Sequence, residues 1–487
     1  MTSVTQIQLP EELLLQIFEF LQTRSLLNLC LVSKPFYKIA LPPIYQSISI
    51  WFDKPRRSVI GLKTLASNDM ASQSVRKLCI YTTATHSYYA HGPPIRTMLR
   101  SFLRLISRVI SRLSNLTLLC IEDSHKEGVF AQCALDLCTS TSLRTFQMEI
   151  ESHTYERGLS DFLTRHHGTL EKLEVISSDR RTICSLNRLG TDVTFPSLKR
   201  ILITSPCTCT LLLKHTFPYL SSAKFIFESA QFGSEEGAAL ARDITEWARG
   251  QGETGSLREL IVLFRSGSVD SVRLIDEISS TIPSLEHLSV TITDFYDFYG
   301  ITTLKAEAHQ IMTRVGDILA RMPKLRELHW SEKCYGRHTD LSLTSVCEDM
   351  KLVQLYGEKC PSLMICEIPG VSYAWTRIVD SAWVPHSLNW FVKLLDNEMY
   401  PALGVLLHHA ERLSTSPDVT RFLEQFRLAE THDEDSIVDL IAVMVYLDIF
   451  EHVHQGRDYK GYKGAIEYAS RIRRILPTVK IKTLWDI

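Results

Sequence analysis

The hexapeptide running from Gly250 to Gly255, GQGETG, carries glycines at the spacing that lets a backbone wrap a pyrophosphate. That chemistry needs a strand before the glycines and a helix after them, so that the helix amino terminus meets the phosphates. Here the order is reversed, because a helical pattern over 238–248 comes first and the strand-like LRELIV follows. A phosphate loop would also need a lysine after its last glycine, where the chain has Ser256 and Leu257. The segment therefore reads as a flexible linker. Histidines pair at His166-His167, His408-His409 and His452/His454. Two metal ligands on one helix need a spacing of three or four to share a face, and these pairs do not provide it. They read as exposed or capping histidines. Cys207 and Cys209 have no second pair nearby, and no GxSxG elbow or HExxH helix occurs. The acidic run from Asp433 to Ser436 reads as the negative start of a helix. The sequence thus predicts no catalytic residue, no metal ligand and no cofactor, and function is expected to lie in surfaces.

The elements that shape those surfaces begin with an ordinary composition. The chain has 487 residues, 45% apolar and 22% charged, with a net charge of −2 and a pI near 6.8. A polyanion-binding surface is not expected from that balance, so nucleic acid is excluded as a partner. The amino terminus has no basic start, and Glu11, Glu12 and Glu19 interrupt its apolar run, which argues against a secretory signal. The longest apolar stretch, Ile437 to Phe450, contains Asp439 and Asp448 and is shorter than the ~20 residues a membrane span requires. Twelve cysteines without a CxxC pair read as free thiols of a reducing compartment. A soluble protein of the cytoplasm or nucleus is expected, without membrane contact.

From Leu9 to Pro43 the chain carries more large apolar side chains than three short helices can bury. A surface helix needs an apolar stripe somewhat over ~100° wide. In the first helix Leu13, Leu14, Leu15, Ile17, Phe18, Phe20 and Leu21 cover roughly 220° at helical spacing, leaving Glu12, Gln16 and Glu19 on the wet side. Ser25 opens a second helix bearing Leu26, Leu27, Leu29 and Leu31, Pro35 starts a third, and Pro42-Pro43 should stop it. Segments below ~40 residues do not enclose a stable core alone, so a partner or the rest of the chain must cover the excess.

This stretch resembles an F-box, the module that docks the Skp-family adaptor of a cullin-RING ubiquitin ligase. The resemblance rests on Leu9-Pro10, Glu11-Glu12, Leu13 to Leu15, Ile17-Phe18, Leu21, Leu26-Leu27, Val32-Ser33 and Phe36. Phe36 stands where tryptophan is more usual, and Pro35 where a basic residue is common. The resemblance implies that Leu9, Pro10, Leu13, Leu14, Ile17, Phe18, Leu21, Leu26, Leu29, Val32 and Phe36 contact the adaptor.

Beyond it a second pattern recurs: a lead leucine, two polar residues, then two apolar residues one apart. Clear copies are GTLEKLEV at Gly168, FPSLKRILI at Phe195, GSLRELIV at Gly255, IPSLEHLSV at Ile282 and MPKLRELHW at Met322. The lead positions are Val75, Leu116, Leu143, Leu170, Leu198, Leu220, Leu257, Leu285, Leu325 and Leu363, several of them 27 or 28 residues apart. Helical patterns lie between them, for example over 95–113, 238–248 and 306–319. The pattern looks like a leucine-rich repeat of the long type, in which each strand and helix must stack on its neighbours to bury its apolar face. The expected fold is α/β: a three-helix F-box over 1–50, a linker helix over 51–73, and a leucine-rich-repeat solenoid over 74–380. Parallel strands would line a horseshoe with helices outside, and 381–487 would form a helical cap with a last strand. Residues alternate in a strand, so the hollow would display Lys77, Tyr81, Glu122, Gln147, Glu149, Lys172, Glu174, Arg200, Lys224, Glu259, His287, Glu327 and His329. Of these, Lys172, Glu174, Arg200, Lys224, Glu259, His287, Glu327 and His329 are the candidate target-binding residues, and their mixed charge suits a protein.

The expected role is that of a fungal-like F-box/leucine-rich-repeat protein. It would be the non-catalytic substrate receptor of an SCF-type ligase, joined to a cullin through the adaptor. The rivals are a scaffold that causes no degradation and an enzyme with an unrecognised site.

Overall fold

The computed structural model describes residues 9–52, 54–82, 93–123, 129–150, 156–177, 193–204, 206–227, 234–264, 269–294, 313–334, 344–368, 374–377, 383–385, 417–428, 439–440, 442–443, 446–447, 471 and 474–476. The chain divides into two compact units, Met1–Leu285 and Glu286–Ile487.

The first unit opens with helices α1 (Glu11–Glu19), α2 (Thr23–Cys30) and α3 (Lys34–Tyr45). Glu11 and Glu12 lie in the first turn of α1, where the helix dipole favours negative charge. The Ser33 hydroxyl accepts the Phe36 N–H at 3.2 Å to cap α3, and Pro35 sits in its first turn. Against expectation, α3 runs through Pro42 and Pro43. Each proline removes one hydrogen bond but already has a helical φ, and burial of Ile39, Ala40 and Leu41 holds this last stretch in place. Phe18, Leu26, Ile39 and Ala40 form the local core, with Leu14, Leu15, Leu21, Leu29, Cys30, Phe36 and Ile44 packed against it.

Parallel strands follow in sequence order: β1 (Ser47–Trp51), β2 (Lys77–Thr82), β3 (Leu118–Asp123), β4 (Thr145–Ile150), β5 (Lys172–Ser177), β6 (Arg200–Ile203), β7 (Ser222–Phe227) and β8 (Glu259–Phe264). Between them run α4 (Pro55–Ser67), α5 (Asp69–Ser74), α6 (Pro93–Ile110), α7 (Val129–Leu137), α8 (Glu156–His166), α9 (Pro206–Leu212) and α10 (Ser234–Thr254). Helix α11 (Ser271–Thr281) closes the unit. The sheet starts at Ser47, not at Ser74. The segment SISIW lacks a lead leucine and so escapes the repeat pattern, yet it pairs residue for residue with Lys77–Tyr81. Helix α10 runs through Gly250, and Gly255 ends it with φ +63 and an N–H to the Gln251 carbonyl. The glycine-rich hexapeptide is therefore a helix end with a left-handed cap, where only glycine avoids a Cβ penalty, and not a linker.

In the second unit β9 (His287–Asp294), β10 (Glu327–Cys334) and β11 (Ile365–Glu367) are parallel. Two short strands, β12 (Trp375–Arg377) and β13 (Trp383–Pro385), then add antiparallel. Helix α12, described over 313–319, α13 (Thr344–Lys359) and α14 (Pro417–Leu428) complete the described elements. The expected helices over 388–395 and 401–413 and the last strand lie outside the described residues, as do most of 436–453 and 465–476.

All ten lead positions are fully buried, from Val75 to Leu363. In eight copies the lead N–H bonds to the carbonyl three residues earlier, for instance Leu198 to Phe195 and Leu285 to Ile282. That turn delivers the chain from helix to strand. Each strand then sends two side chains inward, such as Leu173 with Val175 and Leu328 with Trp330, all buried. A fully buried side chain of this size stabilises by ~1.5 to 3 kcal/mol, which explains why the apolar spacing outweighs sequence variation elsewhere.

Candidate functional site

Two surfaces carry the candidate residues. Leu14 and Phe18 on α1, and Leu21 just after it, turn toward the local core. Leu9 and Pro10 immediately before the helix, and Leu13 and Ile17 within it, are exposed, with Leu9, Leu13 and Ile17 each left 46–48% open to water. Leu9, Leu13 and Ile17 recur every four residues and so form one stripe. Helix α1 thus has two apolar stripes, one satisfied inside and one open. On α2 and the turn after it, Leu27, Leu31 and Val32 are also exposed, while Leu29 and Phe36 are half-buried. Phe18 and Leu26 are buried, and Phe18 meets Phe36 edge to face at 5.8 Å. Those two side chains hold the helices together and offer no surface, which corrects the expectation that they touch a partner. Sequence reasoning omitted Phe20, Leu27 and Leu31 from the contact set. Phe20 and Leu31 are the most exposed large apolar residues of this segment, at 90% and 87%, and their exposure follows from lying off the inner stripe.

The second surface is the sheet face opposite the buried pairs. In the first unit, parallel register lines up Lys77, Leu118, Thr145, Lys172, Arg200, Ser222 and Glu259. The row two residues on runs Ser49, Cys79, Cys120, Gln147, Glu174, Leu202, Lys224 and Ile261. A third begins with Trp51, Tyr81, Glu122 and Glu149, where Trp51 stacks on Tyr81 at 4.2 Å. Charges on this face are paired sideways. Lys172 bonds Glu174 at 2.7 Å, and the Gln147 amide donates to the other Glu174 oxygen at 2.6 Å. Lys224 meets Glu259 at 2.9 Å, and the Ser222 hydroxyl donates to the second oxygen of the same carboxylate. Exposed Arg200 on β6 stands between these two groups, so the candidates of this unit form separate pairs and not one pocket. Cys79 and Cys120 lie opposite one another in register. The Cys120 thiol donates to Cys79 and lowers it to about 6, while the same bond and burial push Cys120 up.

In the second unit, His287, Glu327 and His329 occupy the corresponding face. The His287 Nδ1 lies 2.8 Å from Glu327 Oε2, and His329 Nε2 lies 3.8 Å from that same oxygen. His329 Nδ1 lies 3.1 Å from Glu367 Oε2. The hydrogen bond with Glu367 raises the His329 pKa, with burial acting the other way. The two imidazoles stack at 5.2 Å. Glu367 went unnoticed in the sequence because its repeat copy, CPSLMICEI, is weak, although its position directly after the first inward residue is the one His329 holds.

Residues 7–51 match the F-box-like family model. No curated protein matches the chain. Among solved structures, the chain is similar to one described as "Crystal structure of Rad7 and Elc1 complex in yeast", at 13% identity and TM-score 0.32, covering 76% of this chain and 92% of that one. It is also similar to an internalin (inlF) from Listeria monocytogenes, at 13% identity and TM-score 0.26, covering 62% of this chain and 76% of the internalin. The chain is an α/β protein in which an F-box-like helical segment leads into leucine-rich-repeat units. Among the described residues, no helix is long and apolar enough to cross a membrane.

Proposed function

We propose that this chain is a substrate-recognition subunit of an SCF-type cullin-RING ubiquitin ligase. Helices α1 to α3 dock a Skp-family adaptor and through it a cullin, and the repeats hold a protein target for ubiquitin transfer by other subunits. The observation that carries the reading is the open stripe of Leu9, Leu13 and Ile17 within an F-box-like segment whose own core is already filled. Such a stripe gains by burial against another polypeptide. The mixed, laterally paired charges of the sheet face favour a protein target over a polyanion. The role requires no cofactor and no catalytic residue here, and it belongs in the cytoplasm or nucleus. Affinity capture of the intact chain with the cullin ligase inhibited should enrich the adaptor together with proteins whose abundance then rises. Partners whose lifetimes do not respond to the inhibitor would instead mark a scaffold without degradation.

A further inference from the structure

On β9, β10 and β11 two imidazoles and two carboxylates converge on one stretch of the sheet face. An ordinary His–Glu pair joins one ring to one carboxylate. Here a single oxygen, Glu327 Oε2, is approached by His287 Nδ1 at 2.8 Å and by His329 Nε2 at 3.8 Å. The two ring centroids lie 5.2 Å apart, with their planes 29° from parallel. With neutral rings, the two imidazoles and the Glu327 carboxylate can each offer one lone pair to a single cation.

We propose that His287, Glu327 and His329 bind a divalent zinc-class ion, with Glu367 as the outer carboxylate that fixes the His329 ring. One donor atom from each of the three lies within 4.8 Å of the others. A tetrahedral zinc site with bonds of about 2.0–2.1 Å has ligand-to-ligand edges of about 3.3 Å. The observed 2.8 and 3.8 Å contacts straddle that edge, so shifts of roughly half an ångström bring each of these two contacts to the coordination edge. The backbone is already in place, since His287 pairs with Glu327 across β9 and β10, and His329 pairs with Glu367 across β10 and β11. His329 Nδ1–H can donate to the Glu367 carboxylate, and on ion binding Nε2, which faces Glu327, would give up its proton and supply its lone pair. A carboxylate behind a ligating histidine is the outer-shell arrangement that orients the ring and strengthens it as a donor. A divalent ion would meet the Glu327 carboxylate directly and the Glu367 carboxylate through the His329 ring. Three protein ligands on a half-open sheet face leave the fourth position to water or to a side chain of a bound protein. This inference does not depend on the ligase reading.

The test titrates the full reduced chain with Co(II) and follows visible absorption, then displaces the cobalt with Zn(II). The expected result is one ion per chain, with tetrahedral bands of nitrogen and oxygen ligation and no sulfur charge-transfer band. His287→Ala with His329→Ala should abolish those bands, and Glu367→Gln, which preserves shape, should weaken binding about 10–100-fold. Far-UV circular dichroism establishes that each variant is folded. Absence of tetrahedral bands in the wild-type chain, their persistence in the double histidine variant, or a spectrum dominated by thiolate would each overturn the site. Unchanged affinity in Glu367→Gln would overturn the outer-shell role.

Discussion

Replacing Ile17 with aspartate tests the docking face most directly. Ile17 is 47% exposed in the free chain, so about half of its side chain remains to be buried by a partner. Half of the ~1.5–3 kcal/mol for a fully buried aliphatic side chain is about 1 kcal/mol lost on docking. Forcing an unpaired carboxylate into that contact adds about 3 kcal/mol or more. The sum of about 4 kcal/mol corresponds to roughly a thousandfold weaker affinity for a Skp-family adaptor. Folding should lose only about 1 kcal/mol for the half of the side chain already buried, plus some tenths of a kcal/mol for aspartate in a helix. Phe18→Ala is the contrasting control: Phe18 lies in the local core, and its truncation should cost about 3–5 kcal/mol of stability and loosen the helices themselves. Biolayer interferometry against purified adaptor, with hydrogen exchange over α1 to α3, separates the two effects. A change in affinity below about fivefold for Ile17→Asp, with unaltered exchange, would refute the assignment of this stripe as the docking face.

Gly357→Ala should destabilise the second unit by about 1–3 kcal/mol, because the new methyl would sit 2.7 Å from Trp383 Nε1, and Trp383 is buried; an unchanged tryptophan-fluorescence midpoint would contradict that packing. Asp123→Ala should cost about 1–3 kcal/mol, since Asp123 is fully buried and accepts the Phe130 and Ala131 N–H groups at 3.1 and 2.9 Å at the start of α7. Hydrogen exchange at those two amides should accelerate in the variant, and protection equal to wild type would count against the bond. Cys79 should alkylate readily at pH 7 and lose reactivity as pH falls through about 6, because its thiolate is favoured by the Cys120 thiol. Cys120→Ser should shift that profile, and mass spectrometry showing Cys79 no faster than Cys133 at pH 7 would refute the pairing.

The strand positions were legible because one physical constraint repeats: a lead apolar residue and two inward side chains must be buried in every copy, and all ten leads are. Helices α6 and α10 were legible from their apolar periodicity to within a few residues at most ends. What was missed obeys other constraints. β1 is specified by the plain alternation of SISIW, and β12 and β13 are three residues each, too short to show a period. Glycines usually signal breaks, yet in α10 tertiary packing of Ile244, Trp247 and Ala248 carries the helix past Gly250. At the docking face, apolar count identified a surplus, but spacing alone did not say which stripe stays inside, and Phe18 and Leu26 were assigned to the wrong one. The His287, Glu327 and His329 cluster was sought on helices, whereas it is built across strands whose residues meet only through register.

Only Gln46 separates α3 from β1, and its carbonyl accepts the N–H groups of both Arg76 and Lys77. The joint therefore has no slack: the last turn of the F-box-like helices and the first rung of the ladder meet across one residue. On the proposed receptor role, cargo gripped by the first unit would be carried at a fixed bearing from the anchoring point, as on a stiff boom. Which of its lysines come within range would then be decided by the number of rungs between anchor and grip, so that adding or deleting one repeat would re-aim the modification along the cargo.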